Sequence, residues 1–301
     1  DMNSAYLRGA FMAFLGFTAF ALSDVVMKLA GMDGVPIALI AFISGLGGSL
    51  ALALYTATTK NISVLMPHSW RVIGIIALLF LAMSFVGPIA FTHLPLTTAY
   101  IGYFCSPFLI TLFGSFLLKE KYSRKQMIAI LIGFGGVTLA LFPEITSPTA
   151  QNSAGNVSLG FICLTAAVSI YVTAMLLLRA YGAKETPESV SFFSHFIRVP
   201  FLLPILFITP LSEIALSSYI YMALMGVLGA VGFVFMSRAY QLAPVAVTSP
   251  LHYTQLISGA VFGYLIWNDV PSYWVFIGGA IIAISGIMVA REAQRLEQSK
   301  S

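Results

Sequence analysis

Long runs of apolar residues without a single charge recur along this chain. The first of them, FMAFLGFTAFALS (11–23), is typical. Over all 301 residues only 9% are charged and 59% are hydrophobic, whereas soluble domains carry about 25% charged residues. A helix that crosses a bilayer needs about 20 apolar residues. These runs therefore predict an all-α integral membrane protein and argue against a soluble domain.

Ten segments are long and apolar enough to cross a membrane, and we number them spans 1 to 10 in chain order. They cover residues 8–30, 35–58, 71–93, 97–118, 125–143, 157–180, 187–209, 217–240, 245–267 and 272–290. The connections between them are short and leave no room for an extramembrane domain. The longest, PEITSPTAQNSAGN (143–156), is rich in Ser, Thr, Asn and Pro and is the predicted midpoint linker.

Basic residues are concentrated on one side of the predicted membrane, as the positive-inside rule requires. With the N-terminus inside, only Lys28 lies outside, and Arg198 falls within span 7. The thirteen inner residues are Arg8, Lys60, Arg71, Lys119, Lys121, Arg124, Lys125, Arg179, Lys184, Arg238, Arg291, Arg295 and Lys300. We therefore predict that both termini are cytoplasmic. The net charge of +4 follows from this asymmetry and does not indicate nucleic-acid binding.

The two halves of the chain repeat each other. A shift of 151 residues pairs Gly9 with Gly160, Lys28 with Arg179, Gly31 with Gly182 and Pro36 with Pro187, and a shift of 149 pairs Pro95 with Pro244, Gly114 with Gly263 and Ser123 with Ser272. Since five spans is an odd number, the second copy must be inverted in the membrane. The predicted fold is thus ten transmembrane helices in two inverted five-helix repeats, over residues 1–145 and 155–291.

Spans 5 and 10 also share a pattern of small residues. Its members are Ala129, Gly133, Gly136 and Ala140 in span 5, and Gly279, Ala283, Gly286 and Ala290 in span 10. Both sets have the spacing 0, 4, 7, 11, which places them on one face of a helix. Small residues let two membrane helices approach closely. We predict that spans 5 and 10 pack together, or on equivalent surfaces, through these faces.

Charged residues inside the spans are the first candidates for a functional site, because a charge in the bilayer costs several kcal/mol unless it faces protein or water. Asp24 and Lys28 lie four residues apart in the outer third of span 1. Asp24 is predicted to be a carboxylate in a watery cavity, with Lys28 near the mouth. The alternative is a structural ion pair with Lys28 reaching outward.

Arg198 lies in the middle of span 7, with His195 one turn before it. A guanidinium at that depth needs partners. It is predicted either to bind an anionic group of a substrate or to hold span 7 to a carbonyl or to Asp24.

Polar and aromatic residues form stripes on three other spans. They are Thr248, His252, Gln255 and Gly259 in span 9, Tyr100, Tyr103, Pro107, Thr111 and Gly114 in span 4, and Ser169, Tyr171 and Thr173 in span 6. The stripes lie at middle depth and predict a cavity, where tyrosines would stack on a planar or cationic group. The alternative is hydrogen bonding between helices, worth about 0.6 kcal/mol per bond. Prolines 107, 200, 204 and 250 predict bends, either hinges or static kinks.

No enzyme signature is present in the sequence, which lacks HExxH, CxxC and a glycine-rich phosphate loop. The four histidines, at positions 68, 93, 195 and 252, are scattered over different segments. No metal site, catalytic residue or cofactor is therefore predicted.

Residues 93–141, HLPLTTAYIGYFCSPFLITLFGSFLLKEKYSRKQMIAILIGFGGVTLAL, resemble the fourth and fifth helices of the EamA-type drug/metabolite transporter superfamily. Residues 242–286 carry a weaker copy, and the resemblance covers the whole chain. Within the family, SDVVMKLAG (23–31), LTTA (96–99) and SPLHYTQLIS (249–258) are loosely similar to the branch of S-adenosylmethionine uptake carriers. Gln255 stands where that branch tends to carry an acidic residue. The resemblance implies two five-helix bundles around a central cavity lined by spans 1, 3, 4, 6, 8 and 9.

The sequence thus predicts a secondary transporter that moves a small polar organic metabolite by alternating access. An amino-acid-like or nucleoside-like zwitterion, of the S-adenosylmethionine kind, is the expected substrate. The candidate substrate-binding residues are Asp24, Tyr100, Tyr103, Tyr171, Arg198, His252, Tyr253 and Gln255. The alternatives are an integral membrane enzyme and a non-transporting receptor or scaffold. A bacterial inner membrane is the expected location. The expected partners are the substrate and the lipid bilayer, with a homodimer as an open alternative.

Overall fold

The computed structural model describes residues 2–30, 35–93, 96–119, 122–146, 157–209, 214–268 and 270–298. Within these ranges the chain is helical and contains no strand, which confirms the predicted all-α class. The helices are α1 (Met2–Ala30), α2 (Ile37–Thr59), α3 (Trp70–His93), α4 (Leu96–Phe104), α5 (Ser106–Leu117), α6 (Arg124–Ala140), α7 (Phe142–Thr146), α8 (Val157–Tyr181), α9 (Pro187–Phe196), α10 (Arg198–Leu202), α11 (Ile205–Ile208), α12 (Leu216–Leu242), α13 (Val245–Thr248), α14 (Thr254–Trp267) and α15 (Tyr273–Gln298). Short 3₁₀ segments occupy Ile62–Leu65, Gly182–Lys184 and Ser249–Tyr253.

Five helices in the described residues are long and apolar enough to cross a membrane without interruption. They cover Ala5–Met27, Ile37–Thr59, Trp70–Ala90, Val157–Lys184 and Leu216–Leu242, which are spans 1, 2, 3, 6 and 8. Shorter apolar helices cover Ile101–Leu117 and Tyr273–Val289. Helix is present in all ten predicted spans, but three of them are broken, so the count of ten crossings stays a prediction.

The breaks lie where the sequence places prolines. Span 4 is interrupted at Cys105, two residues before Pro107, and span 9 is interrupted by the 3₁₀ segment that contains Pro250. Span 7 is divided into α9, α10 and α11 around Pro200 and Pro204. Proline removes a backbone donor and clashes with the preceding turn. Pro88 nevertheless lies inside the continuous α3, so proline alone does not decide where a span breaks.

Helices of the first half pack on helices of the second half. Helix α1 packs along α12, α3 along α8, α2 along α12 and α9, and α6 along α15. Close approach depends on glycine where α1 and α12 cross. A Cβ on Gly16 would lie 3.0 Å from the carbonyl oxygen of Gly232, and a Cβ on Gly232 would lie 3.0 Å from the carbonyl oxygen of Gly16. Each backbone therefore rests directly on the other.

The contact of α6 with α15 agrees with the predicted packing of spans 5 and 10, but the contact face of α15 is one residue away from the predicted one. On α6 the four small residues of the stripe are all buried. On α15 the residues Gly278, Ile282, Ser285 and Val289 are buried, whereas Gly279, Ala283 and Gly286 are not. Gly136 faces the Gly278 carbonyl, whereas a Cβ on Gly286 would meet nothing within 4 Å. The side chain of Ala290 lies outside the described part of the chain. The predicted spacing of the contact residues is confirmed, whereas their predicted register on α15 is wrong by one residue.

Two residues other than glycine adopt left-handed backbone conformations among the described residues. Lys119 has φ 54° after α5, and Asn268 has φ 57° after α14. The two positions are separated by the same 149 residues that align the sequence repeats. Matching helix ends at that offset are what an internal repeat predicts.

Candidate substrate site

The break in span 9 turns His252 toward the middle of the bundle. The 3₁₀ segment Ser249–Tyr253 follows the single-turn α13, and α14 resumes the span at Thr254. Because a 3₁₀ helix has three residues per turn, it changes the direction in which the side chains point. The polar stripe predicted for span 9 is therefore split between two helical registers.

Aromatic rings surround His252 on three sides. The imidazole stacks on Phe17 of α1, with ring centroids 4.7 Å apart and planes at 13°. Phe104, the last residue of α4, lies 5.2 Å from it, and Tyr171 of α8 lies 5.6 Å from it. We call His252, Phe17, Phe104 and Tyr171 the aromatic cluster. It joins spans 1, 4, 6 and 9, four of the spans that the family resemblance implied as cavity lining.

Hydroxyl groups link the broken spans 4 and 9. Ser106, the first residue of α5, lies with its Oγ 3.2 Å from His252 Nδ1. Thr111 Oγ1 and Ser249 Oγ are 3.1 Å apart, and the Ser249 hydroxyl donates to the Pro107 carbonyl at 3.3 Å. All three hydroxyl-bearing residues are buried. These hydrogen bonds hold the broken parts of spans 4 and 9 against each other.

Asp24 and Gln255 form a second polar contact beside the aromatic cluster. The amide Nε2 of Gln255 donates to Asp24 Oδ2 at 2.8 Å, and the aspartate is exposed. Gln255 lies three residues after His252, and Asp24 lies two turns after Phe17 on α1, a rise of about 10 Å. The side chain of Lys28 lies outside the described residues, so the predicted ion pair with it is not described.

Tyr103 and Tyr171 both reach the same core, from different sides. Tyr171 is 7% exposed, and Tyr103 is partly buried against the same hydrophobic cluster. The Tyr103 hydroxyl points to α3, where a Cβ on Gly87 would lie 2.7 Å from its oxygen. The side chain of Tyr100 lies outside the described residues.

Tyr253 is enclosed between helices, contrary to the expectation that it lines the cavity, although its ring centroid lies 6.1 Å from that of Phe104 in the aromatic cluster. It is 1% exposed, its ring lies against Gly133 of α6, and its hydroxyl donates to the Ile130 carbonyl at 3.4 Å. Its neighbour Ser285 of α15 donates to the Ala129 carbonyl. Tyr253 thus fills the interface of α6 and α15. The physical reason is that consecutive residues of a helical turn point about 100–120° apart, so residues 252 and 253 face different helices.

Arg198 is also placed away from the other candidates. Its side chain lies against α2, where a Cβ on Gly45 would be 2.9 Å from the Arg198 Cβ. The Nε atom is buried and makes no hydrogen bond in the described part of the chain. The Nδ1 atom of His195 donates to the Ser191 carbonyl at 2.9 Å. The described partner of Asp24 is Gln255, so the structure does not bring Arg198 and Asp24 together.

Several residues of the site were not predicted from the sequence. Phe17 and Phe104 lie in apolar runs where phenylalanine is the expected lipid-facing or core residue. Ser106 and Ser249 each stand directly before a proline that predicts a bend, and that adjacency is the only signal for them. Among the described residues, no group of three or more His, Cys, Asp or Glu side chains comes together.

Known proteins with similar sequences are transporters by name. The S-adenosylmethionine uptake transporter of Rickettsia prowazekii is 23% identical over 309 residues, covering 100% of this chain and 98% of that protein. The pseudopaline exporter CntI of Pseudomonas aeruginosa is 23% identical over 283 residues, covering 94% and 96%. An uncharacterized transporter of Helicobacter pylori is 28% identical, and there the match spans 65% of this chain and 65% of the relative.

A solved crystal structure shows the same fold. It superimposes with a TM-score of 0.80 over 98% of this chain and 99% of that chain, at 20% sequence identity. At that identity the likeness concerns the fold alone. The family evidence comes from the sequence, where one family model matches twice, over residues 7–142 and over residues 158–291. The matched residues make up most of the chain, which therefore belongs to the EamA-like transporter family.

Proposed function

We propose that this protein is a secondary transporter that carries a small polar organic metabolite across the membrane by alternating access. Membership of a transporter family favours transport over enzymatic catalysis. The observation that carries the proposal further is the junction of spans 1, 4, 6 and 9, where broken helices bring the aromatic cluster next to the Asp24–Gln255 pair. Discontinuous helices that meet in the middle of a bundle are a common construction for substrate sites in carriers.

The chemistry of this junction favours a substrate with a flat ring and a positive charge. The rings of Phe17, Phe104 and Tyr171 are buried, whereas the imidazole of His252 is partly exposed and is the ring on which a planar group stacks in this proposal. Asp24 offers a carboxylate that attracts an ammonium or sulfonium group. S-adenosylmethionine, the substrate named for the Rickettsia relative, combines an adenine ring, a sulfonium and an amino-acid group. We propose a substrate of this zwitterionic class, amino-acid-like or nucleoside-like, and leave Arg198 and Tyr253 out of the site.

Ligand binding and transport are tested separately. Purified protein is screened by thermal shift against S-adenosylmethionine, amino acids and nucleosides, since a ligand that binds the folded state raises its apparent stability. Compounds that stabilise the parent protein are then tested for uptake into proteoliposomes. His252→Gln is the test variant, and His68→Gln is its matched control because His68 is exposed outside the spans.

We expect His252→Gln to lose both the thermal shift and the uptake, while His68→Gln keeps both. Stabilisation of the parent by a ligand without any uptake would favour the receptor alternative. Uptake that is unchanged in His252→Gln would place the site elsewhere in the bundle.

We propose further that the protein resides in a bacterial inner membrane with both termini in the cytoplasm. The support is the asymmetry of its basic residues. A homodimer remains a prediction, which light scattering of the purified protein in detergent would test.

A further inference from the structure

Three connecting segments meet at the end of the bundle that carries most of the basic residues. They are residues 60–69 between α2 and α3, residues 182–188, which connect α8 to the first turn of α9, and residues 240–242 at the end of α12. By the positive-inside rule this end faces the cytoplasm. Its polar contacts take no part in the proposed substrate site.

Glu185 is the centre of these contacts. Glu185 is only 4% exposed. Its carboxylate accepts hydrogen bonds from the backbone N–H groups of His68 at 2.8 Å and Ser69 at 2.7 Å. These amides precede the first turn of α3, where backbone donors have no partner within the helix. The carboxylate of one segment therefore caps a helix that belongs to the other half of the chain.

The end of α12 is tied to the same segment. The amide Nε2 of Gln241 donates to the carbonyl oxygens of Gly182 and Glu185, both at 2.8 Å. Arg179, at the end of α8, donates to the Tyr240 carbonyl at 3.0 Å. The 182–188 segment is thus held on both sides, by α3 and by α12.

An ion pair and a hydroxyl complete the network. Lys60 forms an ion pair with Glu188, which is buried. The Thr186 hydroxyl donates to the Val64 carbonyl at 2.6 Å. The hydrogen bond to Glu188 raises the pKa of Lys60 above its ordinary value because it stabilises the charged ammonium.

The acidic residues of the network have no counterpart in the other half. At the 151-residue shift, Glu185 aligns with Gly34 and Glu188 aligns with Ile37. If the halves are inverted repeats, these positions lie at the opposite end of the bundle. The network is therefore not repeated residue for residue at the other end, although Asp33 directly precedes Gly34 in the sequence.

We infer that Glu185, Glu188, Lys60 and Gln241 form a polar lock that holds the cytoplasmic end closed and biases the resting carrier toward opening on the other side. This inference rests on alternating access in the proposed function. Opening the cytoplasmic end requires the 182–188 segment to part from α3 or from α12. Parting from α3 breaks the hydrogen bonds to the buried carboxylate of Glu185. Parting from α12 breaks the hydrogen bonds from Gln241 to the backbone carbonyls of the 182–188 segment.

Chemical labelling reports whether the lock controls this end. Ser249 is 1% exposed and lies four residues from the predicted inner end of span 9, so a cysteine there is a probe of cytoplasmic opening. Ser249→Cys is made in a background with Cys105→Ala and Cys163→Ala. Inside-out vesicles are treated with a membrane-impermeant maleimide, and the rate of labelling is measured without substrate.

We expect Glu185→Gln and Gln241→Ala each to raise the labelling rate about tenfold, because a hydrogen bond to a charged or buried polar group shifts an equilibrium by that order. Glu292→Gln is the matched control. It removes an acidic residue at the same predicted end that pairs only with Arg295 one turn away, among the described contacts, and it should leave the rate unchanged.

Charge exchange separates a lock from simple loss of folding. Lys60→Glu and Glu188→Lys should each raise the labelling rate, and the double exchange should lower it toward the parent value. Size-exclusion profiles in detergent verify that each variant is folded. An unchanged rate in Glu185→Gln and in both single exchanges would overturn the lock. Since labelling needs no substrate, that result leaves the transport proposal intact, whereas absent uptake with normal labelling changes would count only against transport.

Discussion

Individual polar side chains in this protein are distinguished by where their hydrogen bonds go. The hydroxyls of Thr165, Ser169 and Thr173 each bond to a carbonyl one turn earlier on α8, and such groups are satisfied without a partner from another helix. His252, Ser106 and the pair of Asp24 and Gln255 bond instead across helices that are far apart in sequence. A distant partner alone does not define the site, because Tyr253 and Ser285 also bond across helices; the groups we assign to it have such a partner and lie at the junction of spans 1, 4, 6 and 9.

Removing the charge of Asp24 tests its role directly. Asp24→Asn keeps the size of the side chain and an oxygen that accepts from Gln255, so we expect the melting temperature to stay the same. Uptake of a cationic or zwitterionic substrate should fall at least about tenfold, because a charge-assisted contact is lost. Parallel measurements of melting temperature and liposome uptake distinguish a role in substrate binding from a structural role. A loss of stability would indicate a structural partner, and full activity would exclude Asp24 from the site.

Residues 253 and 255 should differ in their access to water. Cysteine is placed at each position in a background without Cys105 and Cys163 and treated with a small water-soluble thiol reagent. Gln255→Cys should react, and substrate should slow the reaction, because Gln255 contacts an exposed aspartate. Tyr253→Cys should stay inert because Tyr253 is enclosed between α6 and α15. The reverse order of reactivity would contradict the placement of the 3₁₀ turn.

Helices of this protein fall into two kinds, continuous and broken. Helices α1, α2, α3, α8 and α12 run unbroken, and α12 packs on α1 and on α2 through glycine contacts. Spans 4, 7 and 9 are divided into shorter pieces. Spans 4 and 9 meet at their breaks, where Ser249 bonds to the Pro107 carbonyl. The broken spans therefore supply the polar surface, and the continuous ones supply the frame that holds it.

The contact of α6 with α15 gives a prediction with a built-in control. Gly136→Leu should lower stability by about 1–3 kcal/mol, the usual cost of overpacking, because a Cβ there already lies 2.9 Å from the Gly278 carbonyl. Gly286→Leu should leave stability nearly unchanged, since a Cβ there meets nothing within 4 Å. Thermal unfolding in detergent measures both. Equal losses of stability in the two variants would instead support the contact face predicted from the sequence, which includes Gly286.

Across the molecule as a whole, the two halves are interleaved and not placed side by side. Helix α1 of the first half packs on α12 of the second, and α3 packs on α8. A rearrangement of one half against the other must therefore move several interfaces together. The polar lock lies at one end of these interfaces, and the aromatic cluster lies nearer their middle.

The orientation of the molecule is tested with reporters fused to each end. A reporter active only in the cytoplasm should give signal at both termini, and one active only outside should give none, because thirteen basic residues lie on the predicted inner side. Opposite locations of the two ends would exclude an even number of crossings and with it the ten-helix fold.

The class of this protein could be predicted from its amino-acid sequence alone. Uncharged runs of about 20 residues leave the backbone no alternative to helix in a bilayer, and the prolines at 107, 200, 204 and 250 indicated which spans would break. The sequence also singled out Asp24, Tyr171, His252 and Gln255, because polar groups are conspicuous in an apolar run.

Which of these residues meet depends on tertiary packing and could not be predicted. A helical stripe in a sequence is defined only to within one residue, and a single 3₁₀ segment rotates every later side chain about the helix axis. The sequence pattern was therefore equally compatible with Tyr253 lining the cavity and with Gly286 lying in the interface of α6 and α15, neither of which the structure shows. Phe17 and Phe104 carried no signal, since a phenylalanine in an apolar run looks the same whether it faces lipid, core or substrate. Arg198 was placed beside α2 by the packing of Gly45, a contact between distant spans that no local spacing encodes.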